Sequence, residues 1–221
     1  MSGRIIVMRH GRTHSNARGI FDTQLPGAEL SVIGRHQVRE SGRRLRTLSD
    51  NVGYAASSQA LRAQQSMLLA VAAYCGDEGE VPQIAQPKMT MTVLPGIHEL
   101  GAGDLEGRSD DRAHDAYIAT LKQWNEGDLH AGMPGGETAQ DYLNRATPIL
   151  EAVAQRCHDT NQDSLMVIHG AAIRILGLHA TTLDGDYVRE SYIANGSLSI
   201  IEPRGAFGTW TCKYFADQPV P

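Results

Sequence analysis

A three-layer α/β/α sandwich around a mostly parallel central sheet is the fold class that this sequence predicts. Two short apolar runs, IIVM (5–8) and LMVI (165–168), lead into a histidine and a glycine, the first through Arg9 and the second directly. Strand-like runs alternate along the chain with amphipathic helical stretches, the pattern of parallel strands joined by helical crossovers. The 221 residues, 41% of them hydrophobic, are ample for one sizeable core.

RIIVM (4–8) is short and apolar and reads as a buried strand. Ser31 is a good N-cap for a helix to about Leu45, with Val38 and Leu45 inward and Arg35, Arg39, Arg43 and Arg44 outward. GYAAS (53–57) predicts a strand, followed by a helix from about Ala60 to Ala73 whose Leu61, Leu68, Leu69 and Ala72 fall at helical spacing. The Gly- and Pro-bearing stretch CGDEGEVPQIAQPK (75–88) leads into TMTVL (90–94), an alternating strand candidate. A helix is expected over 111–125 and a loop over 127–136. From Glu137, the positions Ala139, Tyr142, Leu143, Ala146, Ile149, Leu150, Val153 and Cys157 trace a long amphipathic helix that Pro148 is expected to bend. SLMVIHG (164–170) is the second buried strand ending in a histidine, AAIRILGLHA (171–180) the helix after it, and SLSIIE (197–202) and TWTCKYF (209–215) the closing strands. The chain reads as a single domain, 1–221, with 100–138 as a cap or lid insertion. Ligands of such sheets bind at the carboxyl ends of the strands, where both histidines fall.

The net charge of −5 and the 5% aromatic content argue against nucleic acid or an anionic membrane as partner. Any cationic site on this chain is therefore local. Cys75, Cys157 and Cys212 are scattered, with no CxxC, which supports neither a zinc knuckle nor a disulfide framework. No stretch approaches a membrane span, and MSGRIIVMRHG has no small-residue cleavage site, so a cytoplasmic setting is expected. Metal binding is not expected, because no histidine pair has HxxxH spacing on a plausible helix and nearby arginines would repel a cation.

Four segments carry the chemistry: RHGRTHSN (9–16), SSQALRA (57–63), HELGAGDLEG (98–107) and VIHG (167–170). Phosphoryl transfer needs a nucleophile, cations for the phosphoryl oxygens, and a proton for the leaving oxygen. An unprotonated His10 is a competent nucleophile. Gly11 permits close backbone approach, and the helix start beyond it can offer N–H groups to an anion. Arg9 and Arg62 present planar forks suited to phosphate, Asn16 a further donor, and His169, when protonated, another charge. Glu99 is the carboxyl group best placed to protonate an alkoxide and then deprotonate water, with Asp104 and Glu106 as neighbouring alternatives. His14, His36, His98, His114, His130, His158 and His179 read as structural or solvated.

Together with PGGET (134–138), the ordered set resembles the histidine phosphatase superfamily, in its phosphoglycerate-mutase-like branch, over nearly the whole chain. The resemblance implies a phosphoglycerate-mutase-like α/β sandwich with His10 as the phosphorylated nucleophile. It implies Arg9, Gly11, Asn16, Arg62, His169 and Gly170 as the phosphate pocket, Glu99 as proton donor, and no cofactor. Where the mutases carry ERHYG and RHGESxWN, this chain has Glu99-Leu100-Gly101-Ala102-Gly103 and Arg12, Thr13 and Ser15, and a Leu-Pro-Gly insertion interrupts 17–34. Without that substrate clamp water should reach a phosphohistidine, so a phosphatase acting on a small phosphorylated metabolite is expected. A cofactor-dependent phosphoglycerate mutase is the alternative, and a non-catalytic phospholigand-binding module the second. Loop 17–30 and segment 104–138 are expected to roof the pocket, with Phe21, Leu25, His130 and Met133 there and Arg12 facing solvent near its mouth. Strand edges near the C-terminus are compatible with a homodimer.

Overall fold

The computed structural model describes residues 3–77, 79 and 89–221, so most of the stretch read as a linker over 75–88 lies outside the described residues. In chain order the elements are β1 (Ile5–Arg9), α1 (His14–Ala17), α2 (Val32–Leu48), β2 (Val52–Ser58), α3 (Leu61–Tyr74), β3 (Thr90–Leu94), α4 (Asp111–Asn125), α5 (Ala139–Thr160), β4 (Asp163–Ile168), α6 (Gly170–His179), α7 (Gly185–Glu190), β5 (Leu198–Glu202), β6 (Thr211–Phe215) and β7 (Gln218–Pro219). Alternation along β1 sends Ile5 and Val7 into one core and Ile6 and Met8 into the other, each at most 1% exposed. In β4, Met166 and Ile168 join the first core and Leu165 and Val167 the second. Strands apolar on both faces need helices on both. α2 and α3 cover one face; α5 and α6, flanked by α4 and α7, cover the other.

The seven strands lie in the order β3-β2-β4-β1-β5-β6-β7. β3, β2, β4 and β1 are mutually parallel, and β5, β6 and β7 continue the sheet antiparallel. This is the expected α/β sandwich, with a parallel centre and an antiparallel margin formed by the C-terminal strands. Ser31 caps α2 as expected, its Oγ accepting the Gly34 N–H at 3.1 Å. α5 starts behind a Thr138–Asp141 capping box and runs on through Pro148. Among the described residues, no helix is long and apolar enough to cross a membrane.

α3 departs from its expected orientation. Leu69 and Ala72 are buried, but Leu61 and Leu68 are 36% and 42% exposed, while Arg62, Ala63, Ser66 and Ala70 face inward. The reason lies at the strand ends. Ser66 Oγ accepts the Gly11 N–H at 3.0 Å and donates to the Arg62 carbonyl at 2.6 Å, so the polar stripe of α3 is turned toward the end of β1.

Candidate active site

The site follows from strand register. Arg9 pairs with Ile168 across β1 and β4, and Ser57 with Val167 across β2 and β4. The residues that follow, His10, His169 and Ser58, therefore emerge side by side at the carboxyl edge of the sheet. The imidazole rings of His10 and His169 stand 5.1 Å apart, and Ser58 Oγ lies 2.7 Å from His169 Nε2.

Hydrogen bonding fixes the tautomer of His10. Its Nδ1 lies 2.8 Å from the Gly11 carbonyl, which can only accept, so Nδ1 carries the proton. Arg62 Nε donates to Nε2 at 3.2 Å, so Nε2 carries the lone pair. Burial, reinforced by Arg62 and Arg9, pushes the His10 pKa well below that of a free imidazole, which keeps Nε2 unprotonated near neutrality. His169 is pushed down likewise, by burial first and then by Arg62, His10 and Arg9.

Neither guanidinium group forms a salt bridge among the described residues, although the carboxylates of Glu99 and Asp22 lie near enough to attract Arg62. Arg62 is 3% exposed and donates to a neutral ring; Arg9 Nη1 donates to the Ile193 carbonyl at 2.6 Å. Arg9 Nε and Arg62 Nη1 are buried with no acceptor. Burying cations so poorly paired is costly, and an anion delivered between them would offset that cost. They face a cavity of about 280 Å³ whose wall also includes Asn16, Phe21, Asp22, Glu99, Tyr117 and Asn195.

Glu99 and Asp22 are the carboxylates that the fold brings to this cavity, and Glu99 is the one expected as proton donor. Its oxygens accept N–H groups from Ala171 (3.1 Å, Oε2), Ala172 (3.0 Å, Oε1) and Leu100 (3.2 Å, Oε1), which docks it on the first turn of α6. A carboxylate has about four acceptor positions, so one remains, on Oε2. The segment around Glu99 is held by Arg145 of α5, which donates to the carbonyls of Gly96 (2.7 Å), His98 (3.0 Å) and Glu99 (3.2 Å). Arg145 also pairs with Glu137, which accepts the Gly101 N–H at 2.9 Å. Of the two alternative carboxylates, Glu106 is engaged by the N–H groups of Thr23 and Gln24 and by Thr23 Oγ1. Asp104 packs against Gly135. Neither lines the cavity.

Two glycines do different work from that expected. The Gly11 N–H goes to Ser66 rather than toward the cavity, and a Cβ there would lie 2.5 Å from the Gly34 carbonyl oxygen of α2. Its need is close packing of α2 against the strand end, which corrects its expected place in an anion cradle. The first turn of α1 offers little to an anion either, because Thr13 and Asn16 cap it reciprocally. The Asn16 amide oxygen accepts from Thr13 N and Asn195 Nδ2, so its NH2 is what it can offer a ligand. Gly170 lies against the Arg9 guanidinium, where a Cβ would meet Nε at 3.2 Å.

Phe21 and Met133 line the cavity as expected; Leu25 lines an adjoining recess instead, and neither Arg12 nor His130 is part of the wall. Segment 100–138 contributes Leu100, His114, Tyr117 and Met133 to it. Sequence reasoning missed His114, Tyr117, Tyr192 and Asn195. His114 was open to discovery only through its place on the solvent-to-core boundary of α4, where its Nε2 lies 3.0 Å from the Gly19 carbonyl.

The depressed histidines carry a stability consequence. Below the ordinary histidine pKa of about 6.5 the unfolded chain binds protons that the folded site refuses. Stability is therefore full above that pH and falls as pH drops toward the folded values. From pH 7.5 to 5.5 the two sites together are expected to cost up to about 3 kcal/mol. Urea unfolding at pH 7.5 and 5.5 measures it, and His10→Gln should remove about half of the loss. An unchanged loss in that variant would place the effect on other groups.

Comparison with known proteins now bears on the site. The family model described as histidine phosphatase superfamily (branch 1) matches residues 5–218. A 2,3-bisphosphoglycerate-dependent phosphoglycerate mutase of Bradyrhizobium sp. (strain ORS 278) is 27% identical over 205 residues, 86% of this chain and 88% of its own. A mycobacterial glucosyl-3-phosphoglycerate phosphatase, solved with VO3, superposes with a TM-score of 0.73 at 19% identity, covering 97% of this chain and 99% of that one. Phosphoglycerate mutase from Bacillus anthracis str. Sterne gives the same TM-score and identity over 98% of this chain and 94% of its own. The fold is thus shared by phosphatases and mutases alike.

Proposed function

The chain belongs to the histidine phosphatase superfamily (branch 1), and within it we propose that the protein is a phosphomonoester hydrolase working through a phosphohistidine. The observation that carries this reading is His10 Nε2, its lone pair fixed by the Nδ1–Gly11 contact, held beside the Arg62 and Arg9 guanidinium groups, each with a buried N–H that has no acceptor. In the first half-reaction Nε2 bonds to phosphorus and the ester P–O bond breaks, its electron pair leaving with the alkoxide, which takes a proton from Glu99. In the second, water attacks the phosphohistidine, gives a proton to Glu99, and the P–N bond breaks to release phosphate. Arg9, Arg62 and Asn16 hold the phosphoryl oxygens throughout, and charge stabilisation of this kind is the largest part of such catalysis. His169, behind His10, gains a reason to hold a proton only when the phosphoryl dianion arrives. Segment 100–138 acts as the cap over this pocket.

Hydrolysis is favoured over mutase chemistry by the segment after Glu99. Leu100 and Ala102 are buried, and Gly101 and Gly103 carry no side chain, so nothing there grips a phosphoglycerate. The names of the curated relatives favour the mutase as second reading. The deciding experiment incubates the protein, with EDTA, with p-nitrophenyl phosphate and separately with 3-phosphoglycerate plus 2,3-bisphosphoglycerate. Phosphate release from the first, with little isomer formed in the second, is expected. EDTA should not matter, since the guanidinium groups supply the positive charge. Interconversion without release would establish the mutase, and inertness in both would favour a binding module.

A further inference from the structure

Resting on the phosphatase reading, we propose that the substrate is the monophosphate of an uncharged alcohol that presents a flat aromatic or heteroaromatic face, with no second anionic group. Two independent features of the cavity carry this. The first is the distribution of charge. Among the residues lining the cavity the arginines are Arg9 and Arg62, both beside His10, and no lysine takes part. The other charged side chains of the wall are the carboxylates Glu99 and Asp22, the latter beside Arg62 and fixed by the Ala28 N–H at 2.8 Å to its Oδ2. With Arg9 and Arg62 taken by the transferred phosphoryl group, a carboxylate or second phosphate on the substrate would meet no further arginine or lysine of the wall and would face Asp22 in a confined space, where like charges repel strongly.

The second feature is an aromatic shelf. The Phe21 ring stands 5.1 Å from the His114 ring and 5.3 Å from the Tyr117 ring, at tilts of 41° and 59°. Its backbone is tied in both directions to the 103–108 segment, accepting from Gly107 N at 2.8 Å and donating to Arg108 O at 2.9 Å. His114 is tied to Gly19. A rigid aromatic wall with Met133 beside it and Tyr192, 81% exposed, at the rim suits a planar apolar group, which gains by offset or edge-on stacking. A cavity of about 280 Å³ takes a phosphate and one such ring system rather than a long chain.

The test uses three alkyl phosphates, so that leaving-group chemistry is held nearly constant: 2-phenylethyl phosphate, glycerol 3-phosphate and 3-phosphoglycerate. p-Nitrophenyl phosphate, compared with His10→Ala, reports separately on the phosphatase reading. The expected kcat/KM order is 2-phenylethyl phosphate first, glycerol 3-phosphate about tenfold or more below, and 3-phosphoglycerate lowest. Phe21→Ala should lower kcat/KM for the phenylethyl ester by about tenfold and leave the glycerol ester within about threefold. Asp22→Asn, which keeps the acceptor for Ala28, should raise 3-phosphoglycerate turnover several-fold relative to glycerol 3-phosphate. His10-dependent cleavage of p-nitrophenyl phosphate with 3-phosphoglycerate equal to or better than the phenylethyl ester would overturn the substrate class and leave the phosphatase standing. An equal effect of Phe21→Ala on all three esters would reduce Phe21 to a structural role and overturn the shelf. Failure to cleave any ester, p-nitrophenyl phosphate included, would overturn the phosphatase reading itself.

Discussion

Replacing His10 with alanine is expected to lower phosphate release from every substrate by on the order of 10⁴-fold or more, because the step that forms the P–N bond loses its nucleophile. No other side chain can take over. His169 lies behind the ring at 5.1 Å between centroids, with Ser58 on its Nε2. The Ser66 hydroxyl is committed to Gly11 and to the Arg62 carbonyl. The loss should be chemical rather than structural. Arg9 keeps its bond to Ile193, and Arg62 keeps its charge, so inorganic phosphate is expected to bind the variant within about tenfold of the parent. The wild type, quenched in mid-turnover, should carry one phosphoryl group per chain with the acid lability and alkali stability of a phosphoramidate, and the variant none. Retained turnover in His10→Ala, or an acid-stable label, would remove His10 from the chemistry.

The parts of this site that could be read from sequence are those whose local pattern carries the information. A four-residue apolar run followed within two residues by His-Gly has to place its histidine at a strand end, and β1 and β4 do so in adjacent register. Arg62 was legible through SSQALRA alone, since helical spacing by itself predicts Leu61 and Leu68 inward and an arginine outward. The fold reverses that order because Ser66 and Arg62 serve the end of β1, a tertiary demand that no helix periodicity encodes. His114 and Tyr117 of α4 and the distant Asn195 reach the cavity from two segments far apart in the chain, and nothing in their neighbourhoods marks them. Gly11 shows the converse: its necessity was legible but its reason was not, because the atom it accommodates is the Gly34 carbonyl of a helix beginning twenty-one residues later.

The sequence favours Glu99 over Asp104 and Glu106 as proton donor, and kinetics can test that choice independently of the geometry. Glu99→Gln is expected to slow hydrolysis of an alkyl phosphate by about 10²–10⁴-fold, the usual scale of general acid catalysis. The effect should depend on the leaving group. p-Nitrophenolate departs without help near neutral pH, so the first turnover of its ester should be slowed far less. The second half-reaction still needs a base for water, so that same variant should release one equivalent of p-nitrophenol in a burst and then stall as phosphohistidine. The side chain should stay in place, because Arg145 holds the carbonyls on either side of it and Glu137 holds Gly101 beyond. The amide oxygen can keep the Ala172 and Leu100 donors, while the NH2 that replaces Oε2 cannot accept from Ala171, so that one N–H loses its partner. Asp104→Asn and Glu106→Gln should show neither the burst nor the leaving-group dependence, since one packs against Gly135 and the other is spent on Thr23 and Gln24. A burst in either of those variants, with Glu99→Gln turning over normally, would move the proton donor to that residue and leave Glu99 as a cap on α6.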